Sequence, residues 1–241
     1  MIPSMQGKTV LVTGASRGIG LEISRAFRER GARVIGTRTA KGGDDMDGYC
    51  DDWLLADFSD LVQTYSCAEA IKKISPDVLI NNAGINKIAA FGSIDPEDFL
   101  RIQQVNVFAP FLLCQAAIQA MKTRGWGRIV NLSSIWGKVG KKYRASYAAS
   151  KFALDGITLA LAAEHSQDGI LANCVAPGFT DTELTRSVLN QEEIKQLTAV
   201  VPAGRMASPK EIASFVAWLG SDENTYITGQ NIAVDGGFTR V

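Results

Sequence analysis

The stretch "VTGASRGIG", residues 12–20, follows an apolar run typical of a strand and precedes a helical pattern that ends near Gly31. Its glycines, Gly14, Gly18 and Gly20, are spaced G-x-x-x-G-x-G rather than the more general G-x-G-x-x-G. Between a strand and a helix, glycines let the backbone approach a pyrophosphate, and the helix N-terminus offers N–H donors. The stretch therefore predicts a nucleotide-binding turn at the start of an α/β sheet.

Apolar strand patterns alternate with helical patterns along the whole chain. Strands are predicted at 8–14, 32–37, 53–56, 77–82, 128–134, 171–176 and 231–235, and later helices near 60–73, 96–122, 145–165 and 209–220. Near-continuous apolar strands separated by helices indicate a parallel sheet covered on both faces. We expect a single doubly wound, Rossmann-like α/β domain over residues 1–241, with a loop-and-helix substrate lid near 182–206.

The bulk composition argues against several classes of protein. Lys plus Arg and Asp plus Glu number 25 each, so the chain lacks the basic excess of a nucleic-acid binder. No apolar run approaches the roughly 20 residues of a membrane span, and the N-terminus lacks a signal-peptide pattern. The four scattered cysteines favour free thiols. We expect a cytoplasmic protein that binds neither nucleic acid nor membrane.

The chain contains one histidine, His165. Zinc sites built from two or three histidines are therefore excluded within one chain. His165 stands at a predicted helix end, where it complements the helix dipole more readily than it serves a hydrolase. We expect proton transfer to run through a group other than imidazole, and we expect no metal site.

A tyrosine and a lysine stand four positions apart in "YAASK", residues 147–151. Positions i and i+4 of a helix are neighbours, with Cβ atoms roughly 5–6 Å apart. A cation there favours the phenolate, so we expect Lys151 to lower the pKa of Tyr147 from its usual value of about 10. The phenol would then donate a proton near neutral pH. The alternative is an exposed pair without function.

The end of the second predicted strand indicates which nucleotide is bound. A site for NAD usually places an acid about 20 residues after the glycines, where it binds the ribose 2′-hydroxyl. Here the strand ends in "VIGTRT", residues 34–39, with Arg38 where the acid would stand. An arginine suits a 2′-phosphate, and Arg17 in the glycine turn adds a second positive charge. We expect NADP(H) rather than NAD(H); the alternative for Arg38 is a solvated side chain.

These motifs together resemble the short-chain dehydrogenase/reductase family, and the resemblance covers essentially the whole chain. The matching motifs are "TGASRGIG" (13–20), "NNAG" (81–84), "VNVFAP" (105–110), "NLSS" (131–134), "YAASK" (147–151), "APGFTDT" (176–182) and "VDGG" (234–237). The resemblance implies that the adenine ring is contacted by Asp57 and that segment 176–182 closes over the nicotinamide. The implied cofactor-binding residues are Gly14, Ser16, Arg17, Gly18, Ile19, Gly20, Arg38, Asp57, Asn82, Ala83, Gly84, Tyr147, Lys151, Pro177, Gly178, Thr180 and Thr182.

The resemblance also implies a catalytic set, Asn106, Ser134, Tyr147 and Lys151. Tyr147 would protonate a carbonyl oxygen, or deprotonate an alcohol in the reverse direction, while Lys151 would also bind the nicotinamide ribose. Ser134 would hold the substrate oxygen, a form of preorganised stabilisation. Asn106 would hold a water in a proton relay. The thirteen-residue spacing to Tyr147 selects Ser134 over Ser133.

Within the family, segment 182–206 is most similar to that of bacterial 3-oxoacyl-(acyl-carrier-protein) reductases. Two features depart from them. Asp168 stands where those reductases commonly carry a basic residue for carrier docking. The loop 138–144 carries a cluster of positive charges, Lys138, Lys141, Lys142 and Arg144. These charges either bind an anionic substrate, or are solvated, or lie in a subunit contact.

Two further features bear on partners and substrate. Lys122, Arg124 and Arg128 form a second basic group that would suit an acyl carrier protein. Trp136 would either line the substrate pocket or lie in a subunit interface. The family usually forms two-fold symmetric tetramers through its long helices, here 96–122 and 145–165, so we expect a homotetramer.

Three functions are compatible with these motifs. The first is an NADPH-dependent reductase of a carrier-bound or small ketone, with a 3-oxoacyl thioester as the leading substrate. The second is a dehydrogenase of a sugar, polyol or other hydroxy metabolite. The third, a nucleotide-binding sensor or scaffold without turnover, has no need of all four polar residues of the catalytic set, and is disfavoured for that reason.

Overall fold

The computed structural model describes residues 5–40, 48–183, 185 and 191–241. Its strands are β1 (Thr9–Val12), β2 (Arg33–Arg38), β3 (Asp52–Leu55), β4 (Val78–Asn81), β5 (Gly127–Leu132), β6 (Ile170–Pro177) and β7 (Asn231–Val234). They pair in parallel in the order β3-β2-β1-β4-β5-β6-β7. All seven predicted strands are confirmed, with ends that differ by at most two residues.

The helices that cover the sheet are α1 (Gly18–Glu29), α2 (Leu61–Ile74), α3 (Pro96–Gln103), α4 (Ala109–Arg124), α5 (Ala145–His165), α6 (Gln191–Ala199) and α7 (Pro209–Leu219). Alternate residues of the strands face opposite helical layers. Val10, Val12 and Val34 pack with α1 and α7 on one face. Leu11 and Ile35 pack with α2 and α4 on the other. This two-sided burial explains the near-continuous apolar strands and confirms the doubly wound α/β fold.

The single helix expected at 96–122 is instead two helices joined by a π-helical turn over Gln104–Phe108. Pro110 has no N–H to donate to the carbonyl of Asn106, four residues earlier, so a regular α-helical bond is missing there. The N–H of Ala109 reaches back to the Gln104 carbonyl instead, which adds a residue to the turn. Such π-turns occur frequently at functional sites, and this one carries Asn106.

The order of the strands creates a crevice above the sheet. The chain runs from β1 to β2 and β3 on one side, then crosses to β4 on the other side of β1. In open parallel sheets, ligands bind outside the carboxyl ends of the strands at such a switch point. The loops after β1, β4, β5 and β6 all begin at this edge, so the fold gathers the predicted site residues there.

Among the described residues, one helical stretch, Pro96–Arg124, is long and apolar enough to cross a bilayer by length and composition alone. Half of its most apolar window is buried inside the protein, and a core helix passes the same test. Leu113, Ala117 and Met121 of this stretch belong to the core beside β4 and β5. By length and composition this stretch therefore differs from the expectation that no segment could span a membrane. Its packing, however, is that of a core helix.

Part of the predicted lid, 182–206, lies outside the described residues. Its described part contains α6, and the residues that follow lead into α7. Thr180, just before the segment, forms a parallel bridge with Ala207, just after it. The two ends of the segment therefore meet beside the carboxyl end of β6. Its action as a lid stays a prediction.

Candidate active site

The glycine turn after β1 is shaped to bring helix α1 against the sheet edge. Gly14 has φ of 63°, a conformation that L side chains rarely adopt. At Gly20, an added Cβ would overlap the Gly14 carbonyl oxygen and lie 2.5 Å from Nδ2 of Asn82. Arg17, the N-cap residue of α1, makes no side-chain capping bond, so the first N–H groups of the helix keep their donor capacity for a ligand. The turn fits a pyrophosphate.

Asn82 ties this turn to the end of β4. Its Nδ2 donates to the carbonyl oxygens of Thr13 at 2.9 Å and Gly14 at 3.1 Å. The Thr13 hydroxyl in turn accepts from the backbone N–H groups of Asn82 and Ala83, each at 2.9 Å. These bonds fix the two loops that flank the switch point, which gives the "NNAG" motif a structural role beside the predicted cofactor.

Arg38 ends β2 close to the glycine turn. The backbone N–H groups of Gly14 and Ala15 donate to the hydroxyl and carbonyl of Thr37, at 3.1 Å each. The Arg38 guanidinium lies over the Trp53 ring, 4.9 Å from its centroid, and its buried Nε has no hydrogen-bond partner among the described residues. Arg38 is therefore held by stacking, and no carboxylate of the described residues forms an ion pair with it. This arrangement fits a 2′-phosphate.

The other predicted cofactor residues also lie at the carboxyl edge. Asp57 follows β3 and accepts from the backbone N–H and the hydroxyl of Ser59. Pro177 and Gly178 end β6. Thr182 lies against the glycine turn, since a Cβ added at Gly18 would be 3.8 Å from its methyl group. The structure therefore brings the loops after β1, β3, β4 and β6 together, as the motif order predicts.

Tyr147 lies in the first turn of α5 and points toward Ser134 at the end of β5. Burial raises the pKa of Tyr147, while the Ser134 hydroxyl and the charge of Arg144 lower it; the net shift is upward. The expectation that Lys151 lowers this pKa is wrong for the described structure. Its ammonium lies over the ring, 5.4 Å from the centroid, and Nζ donates to the Leu132 carbonyl at 2.7 Å.

Lys151 is itself buried. Desolvation lowers its pKa from 10.5 to about 8. Its Nζ lies close to the "NNAG" loop, since a Cβ added at Gly84 would be 3.6 Å from it. The ammonium thus sits between the end of β5, the Tyr147 ring and the loop after β4, where it is positioned to bind a polar group of a bound dinucleotide.

Asn106 is fully buried in the π-turn and clamps the loop after β4. Its Nδ2 donates to the Ile85 carbonyl and to the Ser150 hydroxyl, and its Oδ1 accepts from the Ile85 N–H, at 2.9–3.0 Å. Both amide hydrogens are therefore used, and one lone pair of Oδ1 is left. The predicted relay water would have to bind that lone pair or the Ile85 carbonyl.

The two serines at the end of β5 play different parts. Ser133 is turned toward the body of α5, where its hydroxyl donates to the Lys151 carbonyl at 3.2 Å. Ser134 accepts from the N–H of Trp136 at 3.2 Å and faces Tyr147. Successive residues of an extended segment point in opposite directions, so the side facing Tyr147 belongs to Ser134, as the spacing predicts.

The second basic group, expected to serve a carrier protein, is largely used inside the chain. Arg128 is only 5% exposed and donates to the carbonyls of Gly127, Gly169 and Asn224. Arg124 binds the carbonyls of Ser75 and Pro76 and the carboxylate of Asp77, and Lys122 pairs with Asp168 at 3.0 Å. The prediction of an open basic surface there is wrong for Arg128, which strand register places in the core; Lys122 and Arg124 stay exposed, but both have partners within the chain.

The four cations of loop 138–144 have four different environments. Lys138 donates to the Asn231 carbonyl at 2.7 Å, and Lys141 lies over the Trp136 ring at 5.3 Å. Lys142 is exposed. Arg144 is half-buried beside Tyr147, where burial lowers its own pKa and the Tyr147 charge raises it. The loop is therefore not one uniform basic patch.

Trp136 is buried within its own chain, 8% exposed. It meets Phe179 and Phe238 edge to face, with ring centroids 5.9 Å and 5.8 Å apart, and those two rings meet each other at 5.2 Å. Of the two expectations for Trp136, an apolar wall beside Ser134 is supported over an exposed interface side chain. Phe179 belongs to the motif "APGFTDT" and Phe238 directly follows "VDGG", but the motifs alone gave neither ring a role.

The remaining titratable candidates lie away from this site. His165 ends α5, eighteen residues after Tyr147, and its Nδ1 lies 3.1 Å from Asp168 Oδ2. At about 1.5 Å per residue the helix separates His165 from Tyr147 by roughly 27 Å, far more than hydrogen-bond reach. Cys67, Cys114 and Cys174 are buried free thiols, and Cys50 is a half-buried one. Among the described residues, no group of three His, Cys, Asp or Glu side chains is arranged to hold a metal.

Comparison with known proteins gives the context of this site. A family model described as enoyl-(acyl carrier protein) reductase matches residues 14–239. The 3-oxoacyl-(acyl-carrier-protein) reductase of Vibrio cholerae is 39% identical over 240 residues, covering 97% of this chain and 98% of that protein. The similarity therefore extends through every motif of the site.

Solved structures resemble the chain equally well. A putative NAD(P)-dependent gluconate 5-dehydrogenase from Beutenbergia cavernae, with bound NADP, has a TM-score of 0.93 at 34% identity and covers 99% of both chains. A gluconate 5-dehydrogenase from Burkholderia cenocepacia, in complex with NADP and tartrate, has a TM-score of 0.91 at 30% identity, covering 99% of this chain and 97% of that one. By its fold, its site and its relatives, this chain is an oxidoreductase that belongs to the short-chain dehydrogenase/reductase family.

Proposed function

We propose that the protein reduces a ketone to a secondary alcohol with NADPH, or runs the same reaction in reverse. The observation that carries this proposal is the placement of Ser134, Tyr147 and Lys151 beside the glycine turn. These side chains come from different elements, yet they meet at the switch point of the sheet, where the fold binds ligands. A half-buried phenol and a buried ammonium have a desolvation cost that a purely structural pair would not need.

The cofactor NADPH would be held by the turn 14–20, by Asn82 to Gly84 and by segment 177–182. Its 2′-phosphate would lie between Arg38 and Arg17, with the adenine beside Asp57. The stacked Arg38, whose Nε has no partner in the described part of the chain, supports NADP(H) over NAD(H). The cofactor supplies the hydride; the side chains described here supply orientation and a proton.

In the reduction, the Tyr147 phenol donates its proton to the carbonyl oxygen, which the Ser134 hydroxyl also binds. The raised pKa keeps the phenol protonated at neutral pH, as a proton donor requires. Lys151 would bind the cofactor ribose, since its Nζ lies near the loop after β4, while Ser134 and Arg144 favour the phenolate that remains. Asn106 keeps the Ile85 backbone in place behind Lys151, where a relay water would restore the proton.

The first candidate substrate is a 3-oxoacyl thioester. The relative from Vibrio cholerae supports it, as does the similarity of segment 182–206. The apolar wall of Trp136, Phe179 and Phe238 beside Ser134 suits an acyl chain. An acyl carrier protein would then be the partner, although it could not use Arg128 and would meet Lys122 already paired with Asp168.

The second candidate is a hydroxy metabolite such as a sugar acid or polyol. The gluconate dehydrogenases among the similar structures support it. So does Arg144, a half-buried cation beside Tyr147 that a neutral thioester leaves without a partner.

We further propose that the protein acts in the cytoplasm as a homotetramer. The long helices α4 and α5 leave large apolar side chains exposed, Phe111, Phe152 and Leu159. Exposed apolar side chains on adjacent helices favour a protein interface. The molar mass in solution, measured by light scattering, tests this: a monomeric mass at micromolar concentration would contradict it.

The experiment that tests the function follows NADPH and NADH absorbance with a panel of ketones. The panel holds a 3-oxoacyl thioester, a simple β-keto ester, a quinone and several keto sugars. We expect at least one of them to be reduced with NADPH, and Tyr147→Phe to lower the rate by about 10²–10⁴-fold. Tyr143→Phe, which removes an exposed hydroxyl four residues earlier, is the matched control. Wild-type turnover in Tyr147→Phe would refute the mechanism.

A further inference from the structure

Arg144 is the one cation of loop 138–144 that lies beside the reacting groups. It is the N-cap residue of α5, one helical turn before Tyr147, so the two residues share a face. The two side chains are close enough that the charge of each shifts the pKa of the other. Any substrate whose carbonyl meets Tyr147 therefore passes within reach of this guanidinium.

Arg144 differs in its partners from the arginines that form ion pairs. Five others pair with a carboxylate: Arg25, Arg28, Arg33, Arg124 and Arg205. Among the described residues, no carboxylate forms an ion pair with the Arg144 guanidinium. Burying a charge without a partner is costly, and such costs are concentrated where a ligand later supplies the counter-charge.

The residue before Arg144, Tyr143, has a strained backbone conformation. Tyr143 has φ of 67°, in the left-handed region that side-chain-bearing residues rarely adopt. Its carbonyl accepts from the Ala89 N–H at 3.3 Å, which ties the loop to the one that follows β4. Strain of this kind persists where surrounding structure holds it, and it is concentrated at ligand sites. Here it accompanies the placement of a half-buried guanidinium at the start of α5.

We propose that Arg144 binds a carboxylate of the substrate, a few bonds from the carbonyl that Tyr147 protonates. The planar guanidinium offers paired N–H donors that match a carboxylate. The substrates so selected are short oxo acids and the corresponding hydroxy acids. The phosphate of a carrier-bound thioester lies many bonds from its ketone and would not reach this position. The inference rests on the proposed carbonyl chemistry and, of its two substrate classes, agrees with acidic hydroxy metabolites rather than with a carrier-bound thioester.

The test compares 3-oxobutanoate with its neutral methyl ester, which has the same ketone. Binding of each to the NADP⁺-loaded enzyme is measured by calorimetry, and turnover is measured with NADPH. We expect the wild type to bind the acid at least tenfold more tightly than the ester. Arg144→Gln should weaken the acid by about 10- to 100-fold, the range of charge-assisted bonds, and leave the ester within about threefold. Arg144→Lys should restore part of the loss.

Two controls separate this inference from the proposed function. Lys142→Gln removes an exposed charge from the same loop and should leave both affinities unchanged. Unaltered NADP⁺ affinity and thermal unfolding in Arg144→Gln show that the variant is folded. Three outcomes would overturn the role of Arg144. The wild type could bind acid and ester equally, it could bind neither, or Arg144→Gln could keep the wild-type preference for the acid. Persistent turnover in Tyr147→Phe would instead overturn the proposed mechanism, whatever Arg144 does.

Discussion

The ammonium of Lys151 lies 5.4 Å from the centroid of the Tyr147 ring, over its face, while its hydrogen bond goes to the Leu132 carbonyl. In this arrangement the lysine does not act directly on the phenolic oxygen. The groups that lower the pKa of Tyr147 are Ser134 and Arg144, and burial outweighs both. The pair is therefore poised for a reaction that begins with a protonated phenol.

The buried Lys151 makes stability depend on pH. Its pKa is 10.5 when solvated and about 8 in the folded chain, so the unfolded state binds more protons between these values. Stability contributed through this group therefore rises as pH increases from about 8 toward 10.5. Between pH 7.5 and 9 we expect the wild type to gain about 1 kcal/mol of unfolding free energy relative to Lys151→Met. Parallel urea titrations of both proteins measure this, and equal pH dependence would show that Lys151 is not desolvated.

The phenol of Tyr147 should ionise above its ordinary pKa of 10.0. The difference in tyrosinate absorbance between the wild type and Tyr147→Phe, followed against pH, reports the ionisation of Tyr147 alone. We expect its midpoint above pH 10, and a higher one still in Ser134→Ala and Arg144→Gln, because each removes a group that favours the phenolate. A midpoint below pH 10 in the wild type would mean that Lys151 dominates after all.

Arg38→Asp should turn cofactor preference from NADPH toward NADH. The substitution removes a cation from the 2′-phosphate and adds a carboxylate able to bind a 2′-hydroxyl. We expect the NADPH dissociation constant to rise by roughly 10- to 100-fold, the value of a charge-assisted contact. Arg33→Gln is the control, since Arg33 starts the same strand and pairs with Asp52 instead. An unchanged ratio of the two dissociation constants would place Arg38 outside the cofactor site.

Gly20→Ala should abolish dinucleotide binding and destabilise the fold. The added methyl group has no room between the Gly14 carbonyl and Asn82, so α1 must move away from the turn. We expect a loss of roughly 1–3 kcal/mol in unfolding free energy and no measurable NADPH binding. Gly140→Ala, where a Cβ meets nothing within 4 Å, is the matched control. Near-normal NADPH binding in Gly20→Ala would mean that the turn does not carry the pyrophosphate.

Local patterns in the sequence were enough to predict the fold class. Each strand is an apolar run buried on both faces, and the Gly14–Gly20 turn has a geometry that few residue types permit. The spacing of Ser134, Tyr147 and Lys151 likewise predicts one cluster, because strand ends and helical turns translate spacing into direction. The roles assigned to these residues stay predictions.

The electrostatics depended on three-dimensional packing, which no local pattern contains. Burial reverses the expected pKa shift of Tyr147, and register places Arg128 in the core rather than on a carrier-facing surface. The missing N–H of Pro110 matters because the π-turn it accompanies places the Asn106 amide against the Ile85 backbone, and that contact is not visible in the sequence. In the sequence Arg144 is one of four similar charges in its loop, whereas in the folded chain it is half-buried beside Tyr147. The sequence by itself thus determined which elements form and which groups meet. Tertiary structure decided how strongly each charge is solvated and which cations are paired, because desolvation and pairing depend on neighbours distant in the chain.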